Sequence, residues 1–510
     1  MRVCFSGIIC FCVCCSLASA SDVLDKEIQL PRIKETTYEL LNRITDLTGF
    51  FFIYDSEIVN SEKKVNFPGG NYTIRQSIYL ITQDVNIQIK TVNRHILLYK
   101  KETAAVTNDK SLQVLKDSLN LLIAQAVVRD AQTKEPVPYV SASIEETAIG
   151  TITNQSGEFM LKIPESDFAQ NIRISHVGYI QQTIPVELFL NNPVDIYLQT
   201  KMIPLQEVIV GIVNPQKIIR EMLNNIPVNY QNVPVYFTSF YREGVEKKKS
   251  IVSLTEAVFQ IYKTGFESSA NDQVKLLKMR KISNNNENDS IILKIRAGID
   301  ASLHLDIIKH IPDFLDLDND NPFNYTKIDM AVTDSSLAHV IIFEQKQNIK
   351  DPLHKGELYI DAGNSALLSS HFEFNPQYID KMAEIFVLKK PKGVDIKPEN
   401  ASYNVYYKYW NGKYYLNHIR GDLTFKIKKK KALFQSSKSI HTFFEMVVCK
   451  IDTSNVKKFS RKESISTHNV FSETKFQYDN GFWDDFNIIL PEKELNEAIS
   501  RITSKIEEMQ

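Results

Sequence analysis

Gly150-Thr-Ile-Thr-Asn154-Gln-Ser-Gly157-Glu-Phe159 is a short polar turn between two stretches of β pattern, and the fold follows from how it is read. Asn can hydrogen-bond its own backbone and Gly tolerates positive φ, so both belong in a tight turn. Working outward, runs with strand character cover Leu122 to Val128, Val140 to Ile144, Gly150 to Thr153, Phe159 to Ile163, Ile172 to Ser175 and Asp195 to Leu198, with a turn at Pro136-Val-Pro138. Short strands at this spacing predict a β-sandwich over residues 123–200. Asn154 has no acidic companions in its loop, so it is read as a turn residue and not a calcium ligand.

The chain has 510 residues and a formal net charge of -1, which is length enough for about three domains and supplies no basic field for a nucleic-acid backbone. Arg2, an apolar run from Ile8 to Leu17 and Ala18-Ser19-Ala20 follow the order of a secretory signal peptide, with cleavage expected after Ala20. The run is too short to cross a bilayer. Cys4, Cys10, Cys12, Cys14 and Cys15 lie in this leader, which leaves Cys449 alone in the mature chain and no intramolecular disulfide. A secreted chain without bridges suits a bacterial periplasm.

Residues 21–100 read as a small α+β domain. Helices are expected at Thr37 to Thr48, with Leu40, Leu41, Ile44 and Leu47 inward and Gly49 as the stop, and at Thr73 to Thr82, with Ile74, Ile78 and Ile81 inward. Strands are expected at Ile28 to Leu30, Phe50 to Tyr54, Lys64 to Phe67, Asn86 to Lys90 and His95 to Tyr99, and residues 101–122 read as a polar linker. Within 201–234, Asn214-Pro215 caps a helix that ends before Pro227. Residues 235–510 alternate in strand fashion around hairpin turns at Ala362-Gly-Asn364 and Asn411-Gly412, with helices at Ala301 to Lys309 and Pro491 to Glu508. Irregular spacing and intervening helices favour a soluble antiparallel sheet over a membrane barrel. The expected fold class is therefore multidomain and β-rich: a small α+β domain, a prealbumin-like β-sandwich, and a large, mainly antiparallel β domain with packed helices.

Four parts of the chain resemble known families. Tyr38-Glu-Leu-Leu-Asn-Arg-Ile-Thr-Asp-Leu-Thr-Gly49, Phe52-Ile-Tyr-Asp55, Thr73-Ile-Arg-Gln-Ser-Ile78 and His95-Ile-Leu-Leu-Tyr99 resemble the short N-terminal domain of secretins and TonB-dependent receptors. That resemblance implies an envelope protein partner, such as an anti-sigma regulator or TonB-type machinery. Val127-Val-Arg-Asp130, Gly150 to Asn154, Gly157-Glu-Phe159 and Ile174-Ser-His-Val-Gly-Tyr179 closely resemble the carboxypeptidase-regulatory-like domain, which is not itself a peptidase. His176 falls in its strand-to-turn segment, where packing explains it better than catalysis. Ile203-Pro-Leu-Gln-Glu-Val-Ile-Val210 resembles the segment that follows this domain in Bacteroidetes TonB-dependent receptors. Leu205, Glu207, Val208, Ile209 and Val210 form a candidate strand for addition to a partner's sheet edge, or else the sandwich's exit linker. Thr238-Ser-Phe-Tyr-Arg-Glu243 and Phe482 to Pro491 look like those of Bacteroidetes proteins that carry the regulatory-like domain without a receptor barrel.

No metalloprotease, serine-hydrolase, phosphate-loop or dinucleotide motif occurs, and no cofactor is expected. Asp316-x-Asp318-x-Asp320 begins like a calcium loop but lacks the Gly and Glu that complete one. Lys426 and Lys428 to Lys431 read as a solvated edge strand, with contact to anionic lipid as the rival reading. Tyr407, Tyr409, Trp410 and Tyr414 form a candidate groove for a glycan or peptide, although aromatic residues also favour strands in general. The expectation is a non-enzymatic binding or signalling protein of the periplasm or outer membrane, related to TonB-dependent receptor systems. An envelope glycan or peptide hydrolase and a receptor-like transport component are the alternatives.

Overall fold

The computed structural model describes residues 23–54, 59–60, 62–84, 87–92, 95–100, 121–189, 193–200, 202–204, 214–247, 250–283, 294–295, 298–317, 321–332, 337–389, 393–429, 437–467 and 486–492. The leader, the 101–120 linker, residues 205–213 with the candidate partner strand, Asp318 to Asp320 and most of the expected final helix lie outside these. The chain divides into two compact units, residues 1–107 and 108–510.

In the first unit, β1 (Glu27–Leu30) pairs with β5 (Gly70–Thr73), β2 (Ile33–Thr36) pairs with β4 (Lys64–Phe67), and β3 (Phe51–Tyr54), β7 (His95–Lys100) and β6 (Ile87–Val92) lie side by side in that order. Helix α1 (Thr37–Thr48) starts at a reciprocal capping box: Thr36 Oγ1 accepts the Glu39 N–H while the Glu39 carboxylate accepts that of Thr36. It stops at Gly49, whose φ of 75° places the cap in the left-handed region. Helix α2 (Ile74–Thr82) repeats the box with Thr73 and Gln76. Leu40, Leu41, Ile44, Ile74, Ile78 and Ile81 are buried as their spacing predicts, but Leu47 is 56% exposed because the apolar stripe ends one turn before the helix does. The sequence reading misses β2 and β5, four-residue strands too short and too polar to carry a period.

The second unit begins with the sandwich. One sheet holds β10 (Gly150–Ile152), β9 (Ser141–Ile144), β12 (Asn171–Ser175) and β13 (Gln182–Pro185) in that order. Facing it lie β11 (Glu158–Pro164), β8 (Leu121–Asp130) and β14 (Val194–Leu198), with β14 parallel to β8. The turn that opens the argument closes as expected: Asn154 Oδ1 accepts the N–H groups of Ser156 and Glu158, each at 2.9 Å, and Gly157 has a φ of 76°.

After β15 (Met202–Pro204), helix α3 (Pro215–Asn224) is capped by Asn214, and a single-turn helix α4 (Ile226–Asn229) follows. Pro227 therefore opens α4, where its missing N–H has no partner to lose, and does more than terminate the helix before it. The remaining strands are β16 (Val235–Lys247), β17 (Ser250–Lys263), β18 (Gln273–Ser283), β20 (Phe323–Val332), β21 (Leu337–Gln345), β22 (His354–Asp361), β23 (Leu367–Phe374), β25 (Val394–Trp410), β26 (Lys413–Lys429) and β27 (Lys438–Asp452), with β19 (Lys294–Ile295) and β24 (Val387–Lys389) as a separate pair. Eleven strands form one antiparallel sheet in the order β15-β20-β21-β22-β23-β25-β26-β27-β16-β17-β18. Helix α5 (Ile299–His304) and the turns after it cover one face, burying Ile307, Phe314 and Leu315 against Tyr241, Phe259 and Phe343. Each fully buried side chain of this size is worth about 1.5–3 kcal/mol. The helix expected at Ala301 to Lys309 thus ends at His304, where turns take over. On the other face Phe240, Val447 and Cys449 pack with Ile488, Ile489 and the sandwich residue Ile152.

Candidate functional site

On the sandwich side of the sheet one row of charges crosses five strands in register. Arg280 on β18 lies opposite Glu256 on β17, Glu256 opposite Arg242 on β16, Arg242 opposite Glu445 on β27, and Glu445 opposite Arg420 on β26. The signs alternate, so every cross-strand neighbour attracts. Glu256 accepts from Arg242 Nε at 2.7 Å and from Arg280 Nε at 2.5 Å. Glu445 accepts from His418 Nε2 at 3.0 Å and has Arg420 at 3.6 Å and Arg242 at 3.9 Å. Burial pushes both carboxyls up, but Arg242 and Arg280 at Glu256, and Arg420, His418 and Arg242 at Glu445, outweigh it and hold both below the usual range.

Beside this row Arg420 grips Asp422 through two nitrogens at 2.8 and 3.0 Å, and His441 bridges Asp422 and Glu246 at 3.0 Å each. Burial raises the Asp422 carboxyl, but the bonds from His441 and Arg420 bring it to about 2. Hydrogen bonds to Asp422 and Glu246 lift His441 to about 9, so it is an imidazolium at neutral pH and not an available base. Depressed carboxyls contribute stability that is complete above their unfolded value of about 4 and is lost as pH falls through the folded value; a raised imidazole contributes fully below about 6.5 and loses it as pH rises through its folded value. The expected stability plateau runs from about pH 4 to about pH 7. Urea midpoints between pH 2 and 10 check this, and a midpoint that does not move below pH 4 would contradict it.

The sandwich docks beside this row through residues 487–489. Arg242 Nη2 donates to Ile489 O at 2.8 Å, Thr151 Oγ1 to Ile488 O at 2.9 Å, and Lys162 N to Asn487 Oδ1 at 2.7 Å. The Cys449 thiol, pushed up to about 11 by burial, donates to Asn487 O at 3.1 Å. Tyr139, stacked 5.0 Å from His418, has a φ of 61°, a conformation a bulky side chain adopts only when its surroundings enforce it.

Next to this junction is a cavity of about 680 Å³ between sandwich and sheet, a size that suits a small ligand. The sandwich contributes Tyr139, Ser141, Ser143 and His176, and β25 contributes Tyr406, Lys408, Tyr409 and Trp410. Two bulges shape the floor: the β25–β26 register skips Asn417, and the β16–β27 register skips Cys449. Bulges leave backbone groups outside the ladder. Lys408 Nζ reaches across β26 to donate to Val448 O at 2.9 Å. Burial lowers its ammonium to about 8.

All four residues of the expected groove border this cavity, in two roles. Tyr409 is 55% exposed and Trp410 half-buried, so both offer ring surface. Tyr407 and Tyr414 are core residues: the Tyr407 hydroxyl donates to Asp306 at 2.9 Å, and that of Tyr414 accepts from Asn364 at 3.1 Å. His176 is half-buried, its Nδ1 2.8 Å from Val177 O, and partial desolvation lowers its pKa. Lys426 and Lys428 do not stand on an edge strand: β26 lies between β25 and β27, and the two lysines simply alternate outward from buried Phe425 and Ile427. The charged row and Lys408 escape the sequence reading, although Glu445 inside Phe443-Phe-Glu-Met-Val-Val448 is a visible signal, a charge in an otherwise apolar run.

Three solved structures share low similarity with the chain. A candidate outer membrane lipoprotein-sorting protein domain from Vibrio parahaemolyticus is 8% identical, covering 48% of this chain and 96% of that one at a TM-score of 0.22. A DUF1329 family protein from Desulfovibrio piger is 9% identical, with 48% and 96% coverage and a TM-score of 0.21, and lipovitellin is 7% identical, with 46% and 27% coverage and a TM-score of 0.22. TM-scores this low bear on neither architecture nor ligand. No curated protein matches the chain. Residues 125–210 match the CarboxypepD_reg-like domain family, in agreement with the turn, strand order and sandwich found there.

Proposed function

We propose that this chain is a non-enzymatic binding protein of the bacterial cell envelope, whose ligand, a saccharide, occupies the cavity between sandwich and sheet. The observation that carries this reading is the lining: exposed ring surface at Tyr409 and Trp410 beside the serines of β9. Aromatic faces take the apolar side of a sugar ring while hydroxyls meet its edge. Support for binding over catalysis comes from the titratable groups nearby. Asp361 Oδ1 accepts the N–H groups of Gly363 and Asn364, and Glu145 accepts from Asn171 and Thr183 with Arg173 at 3.6 Å. His176 has no carboxylate partner among the described residues. The leader-like order of residues 1–20 supports export to the periplasm or the outer membrane. There residues 21–100 engage an anti-sigma regulator or TonB-type machinery, and Leu205 to Val210 add to a partner's sheet.

Screening the full mature chain against an array of envelope saccharides, with calorimetric titration of each hit as the readout, tests the cavity. The double substitution of Tyr409 and Trp410 by Ala is expected to weaken binding by at least about tenfold, in line with about 1–3 kcal/mol for lost aromatic contact, and to lower the melting temperature without unfolding the chain at the assay temperature, since Trp410 also packs on Tyr415 and the core. Undiminished binding in that variant would place the ligand elsewhere. For the partner, in-cell crosslinking should capture one envelope regulator or TonB-type protein, and deletion of residues 21–100 should abolish the capture.

A further inference from the structure

Lys408, half-buried, differs from the fully buried cations of its unit. Arg242 and Arg420 each have carboxylates within 4 Å, and Lys263 contacts both Asp272 and Asp306 at 2.8 Å. The Lys408 ammonium carries three N–H groups, and among the described residues its one acceptor is the Val448 carbonyl, with no carboxylate in contact. A cation drawn partly out of water without a counter-charge is costly, and that cost persists in a fold only where something else offsets it. Here Lys408 is one of the residues that line the cavity, together with Tyr406, Tyr409 and Trp410. Val448 lies one residue past the end of the β26–β27 pairing at Val447, beside the bulge at Cys449, and its carbonyl meets Lys408 there.

We propose that the ligand of this cavity is an acidic saccharide and that Lys408 binds its carboxylate, while Tyr409 and Trp410 take the sugar ring. This rests on the saccharide-binding reading above and adds the charge of the ligand. A sugar carboxylate would accept the unused N–H groups and give Lys408 a counter-charge without displacing Val448. Arg173, on the sandwich side of the same cavity, has Glu145 at 3.6 Å as its counter-charge while its buried Nε lacks a hydrogen-bond partner, so Lys408→Met is what separates the two cations.

Calorimetric titration of the full mature chain with matched pairs tests this: trigalacturonate against its methyl ester, and N-acetylmuramic acid against its methyl ester. At least one acid should bind about tenfold or more tightly than its ester, the order expected of one charge-assisted hydrogen bond. Lys408→Met should bring acid and ester within about twofold of each other while ester binding stays at the wild-type level. Equal binding of acid and ester by the wild type would overturn the inference and leave the saccharide reading intact, whereas no binding by any of the four would overturn both. A preference for the acid that survives Lys408→Met would remove Lys408 from the role. Should that variant fail to fold, the acid and ester pairs on the wild type still decide whether the ligand's charge matters.

Discussion

Glu445→Ala is expected to destabilise the second unit by about 3–5 kcal/mol, the range for removing one member of a buried ion network. The carboxylate stands between Arg242 and Arg420 and accepts from His418, and all of these groups are 5% exposed or less. Ala would leave two guanidinium groups facing each other across the gap with no intervening charge, and would leave the His418 N–H without an acceptor. Arg242 would keep Glu256 and Ile489 O, and Arg420 would keep Asp422, so the sheet need not come apart. The loss should come mainly from like-charge repulsion and an orphaned donor. Glu445→Gln separates these contributions. It keeps an acceptor for His418 but not the charge, so it should cost less than Ala while still leaving the row with uncompensated positive charge. Urea unfolding followed by tryptophan fluorescence measures both, and a loss under about 1 kcal/mol for Ala would mean that the row is held by its strands and not by its charges.

The contrast between this row and the turn at Asn154 explains what the sequence discloses. Strand alternation, Gly49 as a helix stop, the Asn214 cap and the Asn411-Gly412 hairpin are local: each depends on residues within a few positions, and each recurs in the structure. Asn411 and Gly412 both have positive φ, as the two-residue hairpin requires. Arg242 and Glu445, in contrast, meet only because β27 returns from the far end of the chain to lie beside β16, and nothing near either residue encodes that register. The cavity has the same origin. Tyr139, His176 and Lys408 come from three segments, and the bulge beside Val448 is a mismatch between strands, invisible in either strand alone. The lysines of β26 mislead for a related reason: alternating Lys and apolar residues read alike on an edge strand and on a central strand with one solvated face.

Gly157→Ala should be the most damaging small change in the sandwich, at about 2–4 kcal/mol, because two penalties coincide. The φ of 76° is left-handed, which costs an L-residue with a Cβ about 1–2 kcal/mol. The added Cβ would also fall inside contact distance of the Val128 carbonyl, a backbone atom that moves only if β8 moves with it. Val128 is tied on both sides: its N–H donates to Gly157 O at 2.7 Å and its carbonyl accepts from Val137 N at 2.9 Å. Relief of the clash would therefore disturb the β8–β11 pairing and the Pro136 turn together. Gly412→Ala is the control, since its φ of 80° meets the same left-handed penalty in a hairpin turn where a Cβ has nothing within 4 Å, and it should cost only about 1 kcal/mol. If the two substitutions cost the same in thermal unfolding, the left-handed backbone accounts for the whole effect and the approach to Val128 for none. If Gly157→Ala costs at least about 1 kcal/mol more, the turn also fixes the distance between β8 and β11, and through Thr151 and Lys162 the seat on which residues 487–489 dock against the charged face of the sheet.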